Sequence, residues 1–202
     1  MDFNELAKEW DNYRRIKRAK IISNEIKNNL LEERNKKALE FGCGTGLISL
    51  NLKDYFKEIT LIDNSKEMIN VANNKIDLLK IDNIKGICCD LINSNISEKC
   101  DIIYSSMALH HVVEMNKLIK RFNDLLNEEG KICIVDLNED DGSFHKGEKD
   151  FNGYNGFSQE WFKNILYKNE FKNIKSYTFY KDIKEVDKEK VEYSLVIMIG
   201  EK

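Results

Sequence analysis

The chain has 202 residues, 42% of them hydrophobic and 33% charged, and a formal net charge of −3. That length suits one domain, residues 1–202, with a sizeable core, and the charge balance argues against a role built on nucleic-acid phosphates. No apolar run approaches the length of a membrane span, the acidic segment Met1 to Trp10 does not read as a signal peptide, and five cysteines without framework spacing point to reduced thiols of a cytoplasmic protein.

Leu6, Trp10, Tyr13, Ile16, Ile21, Ile22 and Ile26 predict one or two amphipathic helices over residues 3–31, an N-terminal cap within 1–31. A first strand is expected at Lys37–Phe41 and a helix over 47–56. The second strand covers 58–62 and ends at Asp63. Ser65 caps a helix that reaches Leu79, with Glu67 adding an acid to its first turn. A third strand over 85–89 ends at Asp90, and a fourth covers 100–105. Gly130 stops a helix over 114–126, and the fifth strand spans 131–137. Residues 140–157, rich in Asp, Gly and Asn, read as a long loop or lid. Ser158 caps a helix through Tyr167, and strands over 173–180 and 192–199 are antiparallel partners.

Strands alternating with helices imply a parallel sheet covered on both faces. Ligands of such sheets bind beyond the carboxyl ends of the strands, near the point where strand order reverses. Glu40 and the glycines after it, Asp63, Asp90, Ser105 and Asp136 all fall at those ends.

The nine residues Glu40-Phe41-Gly42-Cys43-Gly44-Thr45-Gly46-Leu47-Ile48 carry most of the information. Glycines at alternate positions allow a sharp turn and close approach of a ligand. The helix that follows points free N–H groups into the loop. A dinucleotide fingerprint places its third glycine five residues after the first, whereas here Gly46 follows Gly42 by four. A phosphate loop needs a lysine that is missing, and Glu40 would repel a pyrophosphate. An acid beside the loop suits a ligand that bears positive charge.

The spacing and the acid resemble motif I of the class I S-adenosylmethionine-dependent methyltransferases. Asp101 to His111 is similar to motif IV of small-molecule methyltransferases, above all the ubiquinone/menaquinone-biosynthesis type. Trp10-Asp11 and Tyr13 fit that resemblance, as does Gly130 to Asp136, and together it spans roughly residues 10–180. It implies a Rossmann-like, doubly wound α/β fold with a mostly parallel seven-stranded sheet and an antiparallel C-terminal strand. It implies S-adenosylmethionine as cofactor and a small molecule as methyl acceptor. Position by position, Glu40, Gly42, Cys43 and Gly44 would surround the methionine half, and Asp63 and Asn64 the ribose. Asp90 and Leu91 would take the adenine, with Met68 over its other face. Ser105 and Met107 would floor the sulfonium, and His110 would sit near the methyl group. Tyr13 and Lys17 would close over the cofactor carboxylate.

If the acceptor must lose a proton, the candidate bases are the three histidines, His110, His111 and His145. His110 and His111 are adjacent, so at most one of them faces the cleft, and His110 is the expected one. His145 is expected on the lid as a substrate contact, with Tyr154 and Phe157 as an aromatic wall. Adjacent strand residues face opposite ways, so neither Cys88-Cys89 nor His110-His111 makes a good chelate, and metal binding is set aside. With Ser105 and Ser106 after the fourth strand and no proline, the amino-methyltransferase pattern is lacking. The rival reading is a nucleoside-binding fold-mate that acts as a regulatory module or in nucleotide-dependent redox chemistry. Acceptor identity, the atom methylated and oligomeric state are not encoded legibly.

Overall fold

The computed structural model describes residues 2–148 and 151–202. Met1 of the expected N-terminal cap, and Lys149 and Asp150 of the expected lid, lie outside the described residues. Five parallel strands form the sheet's body: β1 (Lys37–Phe41), β2 (Glu58–Asp63), β3 (Ile84–Cys88), β4 (Cys100–Ser106) and β5 (Leu126–Leu137). Two further strands, β6 (Lys172–Val186) and β7 (Glu189–Glu201), extend it. The order is β3-β2-β1-β4-β5-β7-β6, and β7 runs antiparallel to both of its neighbours. This is the α/β, Rossmann-like arrangement expected, with β7 as the antiparallel C-terminal strand. The chain winds outward from β1 through β2 to β3, then returns to lay β4 and β5 on the other side. A crevice therefore opens above the carboxyl ends of β1 and β4.

Strand alternation divides the core into two layers. Ala38, Ile102 and Cys133 face one way, against Ile22 and Ile26 of α2 (Tyr13–Asn29), Leu52 of α3 (Leu47–Leu52) and Ala72 of α4 (Lys66–Leu78). Their neighbours Leu39, Ile103 and Ile134 face the other layer. There they meet Phe122 of α5 (Met115–Leu125) and Phe162 of α6 (Gln159–Lys168). Among the described residues no helix is long and apolar enough to cross a membrane.

Local rules account for most boundaries. The Ser65 hydroxyl accepts the Met68 amide at 3.2 Å and starts α4. Before α2 the chain breaks into α1 (Phe3–Leu6), a 3-10 turn and an Asn12 cap that accepts the Arg15 amide at 3.0 Å. Three expectations shift. The helix after the glycine turn stops at Leu52 instead of 56. Gly130 does not stop α5, which ends at Leu125. Residues 126–130 already belong to β5, where the register jumps from Cys100↔Leu126 to Ile102↔Lys131 with Glu129 at φ 64°. The late strands also run past the expected 180 and 192, because a hairpin turn with Asp187 and Lys188 at positive φ lets the charged stretch pair with itself.

Candidate active site

The loop leaving β1 is shaped by backbone needs. Gly42 sits at φ 65°, and a Cβ there would lie 2.3 Å from the Ala108 Cβ, so only glycine fits. The amides of Gly42 and Cys43 donate to the Ile62 carbonyl at 2.8 and 3.1 Å. The Gly44 amide donates to Asp63 Oδ2 at 2.8 Å, which couples the loop to the tip of β2. The N-terminal segment is fastened on top. Asp11 accepts the Thr45 hydroxyl and pairs with Lys75, whose ammonium also donates to the Thr45 carbonyl at 2.9 Å. The Trp10 indole nitrogen lies 3.5 Å from where a Gly44 Cβ would stand.

The three strand-tip acids differ in character. Glu40 is buried, and that burial pushes its carboxyl up to about 8, only partly offset by the Ser49 hydroxyl that donates to it. Ser49 Oγ lies 2.6 Å from the Tyr104 hydroxyl, so the acid sits in a neutral network. Among the described residues no lysine or arginine pairs with it. Burial likewise raises the Asp63 carboxyl, although the Ser65 and Gly44 amides oppose the shift. Asp90 is exposed and accepts the Ile92 amide at 3.0 Å and the Asn93 side-chain amide at 2.7 Å.

A cleft of about 390 Å³ gathers these parts. Glu40, Gly42, Cys43 and Gly44 line one side. Asp63, Asn64 and Met68 follow, then Asp90 and Leu91, and Met107 lies opposite at φ 55° with its amide on the Val135 carbonyl at 2.9 Å.

Seven expected positions fall elsewhere. Tyr154 and Phe157, expected as an aromatic wall, pack in the core layer of Phe162 and do not line the cleft. Ser105 is buried and donates to the Phe41 carbonyl at 2.8 Å, joining β4 to β1; Ser106 lines the cleft instead. Tyr13 is 82% exposed at the start of α2, and Lys17 is also turned to solvent. His110 does not line the cleft. Asp136, buried at the end of β5, accepts its Nδ1–H at 2.5 Å and the amides of Leu109 and Leu137 at 2.9 and 2.8 Å. That anchor draws His110 behind the wall and gives the cleft to His111. His145 is buried as well, stacked on Phe151 with ring centroids 3.7 Å apart. Its Nδ1 is 3.1 Å from Glu148 Oε1, yet neither ring nitrogen has hydrogen-bond geometry to a partner among the described residues. The three rings cluster, with centroids 4.2 Å apart for His110 and His111 and 5.0 Å for His110 and His145. Among the described residues no three such side chains are arranged to hold a metal ion. Burial lowers the His111 imidazole to about 4, helped by the neighbouring His110, so it is neutral at pH 7.

Sequence reasoning missed Arg15 and Arg18. Both line the cleft with Ala19 and Ile22. The spacing i, i+3, i+4 and i+7 places all four on one face of α2. Arginines in register with an apolar stripe were the available signal.

Residues 32–194 match the family described as "Methyltransferase domain", and the chain belongs to that family. An uncharacterized methyltransferase of Schizosaccharomyces pombe is 31% identical over 126 residues, covering 58% of this chain and 44% of its own. The ubiquinone biosynthesis O-methyltransferase of Coxiella burnetii is 28% identical over 141 residues, with coverages of 67% and 60%. The chain therefore spans about half the length of these curated relatives. In fold it resembles the crystal structure of an S-adenosylmethionine-dependent methyltransferase of Thermotoga maritima, a possible histamine N-methyltransferase. That likeness has a TM-score of 0.74 at 17% identity over 99% of this chain and 98% of the other. The expected resemblance to class I methyltransferases holds for family and fold.

Proposed function

We propose that the protein transfers a methyl group from S-adenosylmethionine to a small-molecule acceptor. One observation supports this reading: a buried carboxyl that no lysine or arginine pairs with among the described residues, a glycine turn and two more strand-tip acids meet in one cleft. That set suits a ligand with a cationic amino-acid end and a nucleoside end. Glu40 and the backbone of Gly42, Cys43 and Gly44 would hold the amino-acid half. Asp63, beside Asn64, would accept from the ribose hydroxyls. Asp90 would accept from the adenine amine, between Leu91 and Met68.

Bound S-adenosylmethionine supplies a methyl group already activated by its sulfonium. The chain's own work is to align an attacking atom and exclude water, and alignment contributes roughly 7–11 kcal/mol. Trp10 over the glycine turn and Met107 opposite help to enclose the site. His111, neutral at pH 7, can accept a hydrogen bond from the acceptor, and because burial holds its imidazole at about 4 it is a weak base, so alignment carries the larger share of the rate. His110 and Asp136 act through it, as positioning residues.

Titration calorimetry tests the reading. S-Adenosylmethionine and S-adenosylhomocysteine should both bind, and Asp63→Ala should weaken both by roughly tenfold or more, the effect of losing hydrogen bonds to a charged group. Binding of NAD with no response to either adenosyl ligand would overturn it.

A further inference from the structure

We infer that the acceptor carries an oxyanion, a carboxylate or phosphate group, and that Arg18 receives it. The inference rests on the reading of the cleft given above.

Arg15 and Arg18 of α2 line the cleft. Arg14 of the same helix and Lys184 of β6 are near enough to add to the positive charge there. Burial lowers the Arg15 guanidinium, with Arg18 and Arg14 adding to the shift, and burial lowers the Lys184 ammonium, with the three arginines adding to it. The nearby acids are engaged with other groups. Asp11 is held by Lys75 and Thr45. Glu148 lies between His145 Nδ1 at 3.1 Å and Lys184 Nζ at 3.8 Å. Asp182 accepts the hydroxyls of Tyr180 at 2.7 Å and Tyr193 at 3.2 Å. Among the described residues neither Arg15 nor Arg18 has a carboxylate oxygen within 4 Å. The chain has more acids than bases, so this surplus of cations is local, and guanidinium groups lining a cleft favour carboxylate or phosphate.

The two arginines are held differently. Arg15 lies over the Trp10 ring at 3.8 Å and donates to the Trp10 carbonyl at 3.2 Å, which ties it to the glycine turn. It is placed to take the cofactor's own amino-acid carboxylate. Arg18 stands a turn further along α2, where among the described residues its one side-chain hydrogen bond is a 3.5 Å contact to the Tyr193 hydroxyl. Its guanidinium has donors to spare for a second anion.

The experiment separates the two sources of negative charge. Calorimetry compares S-adenosylhomocysteine with 5′-methylthioadenosine, which lacks the carboxylate, on the wild type, Arg15→Gln and Arg18→Gln. Arg15→Gln should weaken S-adenosylhomocysteine by roughly tenfold or more, the effect of losing a charge-assisted bond, and leave methylthioadenosine unchanged. Arg18→Gln should leave both nearly unchanged. The protein loaded with S-adenosylhomocysteine is then titrated with phosphate, benzoate and the neutral isostere benzamide, read by thermal shift. An anion, either phosphate or benzoate, should raise the Tm of the wild type, not of Arg18→Gln, and in part of Arg18→Lys; benzamide should do nothing. Loss of S-adenosylhomocysteine but not methylthioadenosine binding in Arg18→Gln would assign Arg18 to the cofactor and overturn the inference. Silence of the loaded wild type to both anions would also overturn it. Failure of S-adenosylhomocysteine to bind the wild type would overturn the cofactor reading itself, and this inference with it.

Discussion

The Nδ1 of His110 lies 2.5 Å from Oδ1 of Asp136, and both side chains are buried at the end of β5. This pair decides which of two adjacent histidines reaches the cleft. Asp136 also accepts the amides of Leu109 and Leu137, so removing its carboxylate leaves several buried donors without a partner. Asp136→Ala should lower stability by about 3–5 kcal/mol in urea titration, the range for breaking a buried pair. Asp136→Asn, which keeps the volume, should fold better yet lose methyl transfer as His111 shifts. Full activity in Asp136→Asn would show that His111 needs no such anchor.

His111 makes the fold sensitive to acid. Burial holds its imidazole at about 4, against 6.5 when unfolded. Between those values the unfolded chain binds the extra proton, so stability present above pH 6.5 is lost as the pH falls toward 4. His111→Gln should flatten that part of the curve of Tm against pH, and an unchanged curve would contradict the assignment.

Glu40 works in the opposite direction. Its carboxyl ionises near 4.5 when unfolded and about 8 when folded, so the folded state holds the extra proton between those values. Stability then falls as pH rises from 4.5 to 8. Glu40→Gln should remove this fall and raise the Tm at pH 8 while weakening S-adenosylmethionine roughly tenfold or more. A cationic ligand beside Glu40 should also release a proton on binding below pH 8. Calorimetry in buffers of different ionisation enthalpy measures that release.

Gly42→Ala should destabilise by more than about 1 kcal/mol, since the new methyl would meet the Ala108 Cβ at 2.3 Å and φ is 65°. Adding Ala108→Gly should recover the steric part and leave the backbone part. Full additivity of the two changes in thermal denaturation would refute a direct contact.

Much of this was legible in the sequence, and the reasons are local. The sheet followed from strands and helices in alternation. Glu40, Gly42, Asp63, Asp90 and Leu91 were legible as positions lining the cleft because each sits at a strand tip or in a turn whose chemistry is written in adjacent residues. The choice between His110 and His111 was not legible, because it is made by Asp136, more than twenty residues away in sequence. Ser105 and Ser106 differ by one step at a strand end, and only the contact of Ser105 with the Phe41 carbonyl separates them. The length of the β6–β7 hairpin was hidden because its tip is charged on both faces. Arg15 and Arg18 were readable as charges on an apolar stripe, but Tyr13 and Lys17 drew attention to the opposite side of the same helix.

The most direct measurement is a crystal structure of the protein grown with S-adenosylhomocysteine. The ribose hydroxyls should lie on Asp63, the adenine against Leu91 near Asp90, and the amino-acid end between Glu40 and Gly44. A nucleoside bound away from Asp63, or a cleft that excludes it at saturating concentration, would show that this cleft is not the cofactor site.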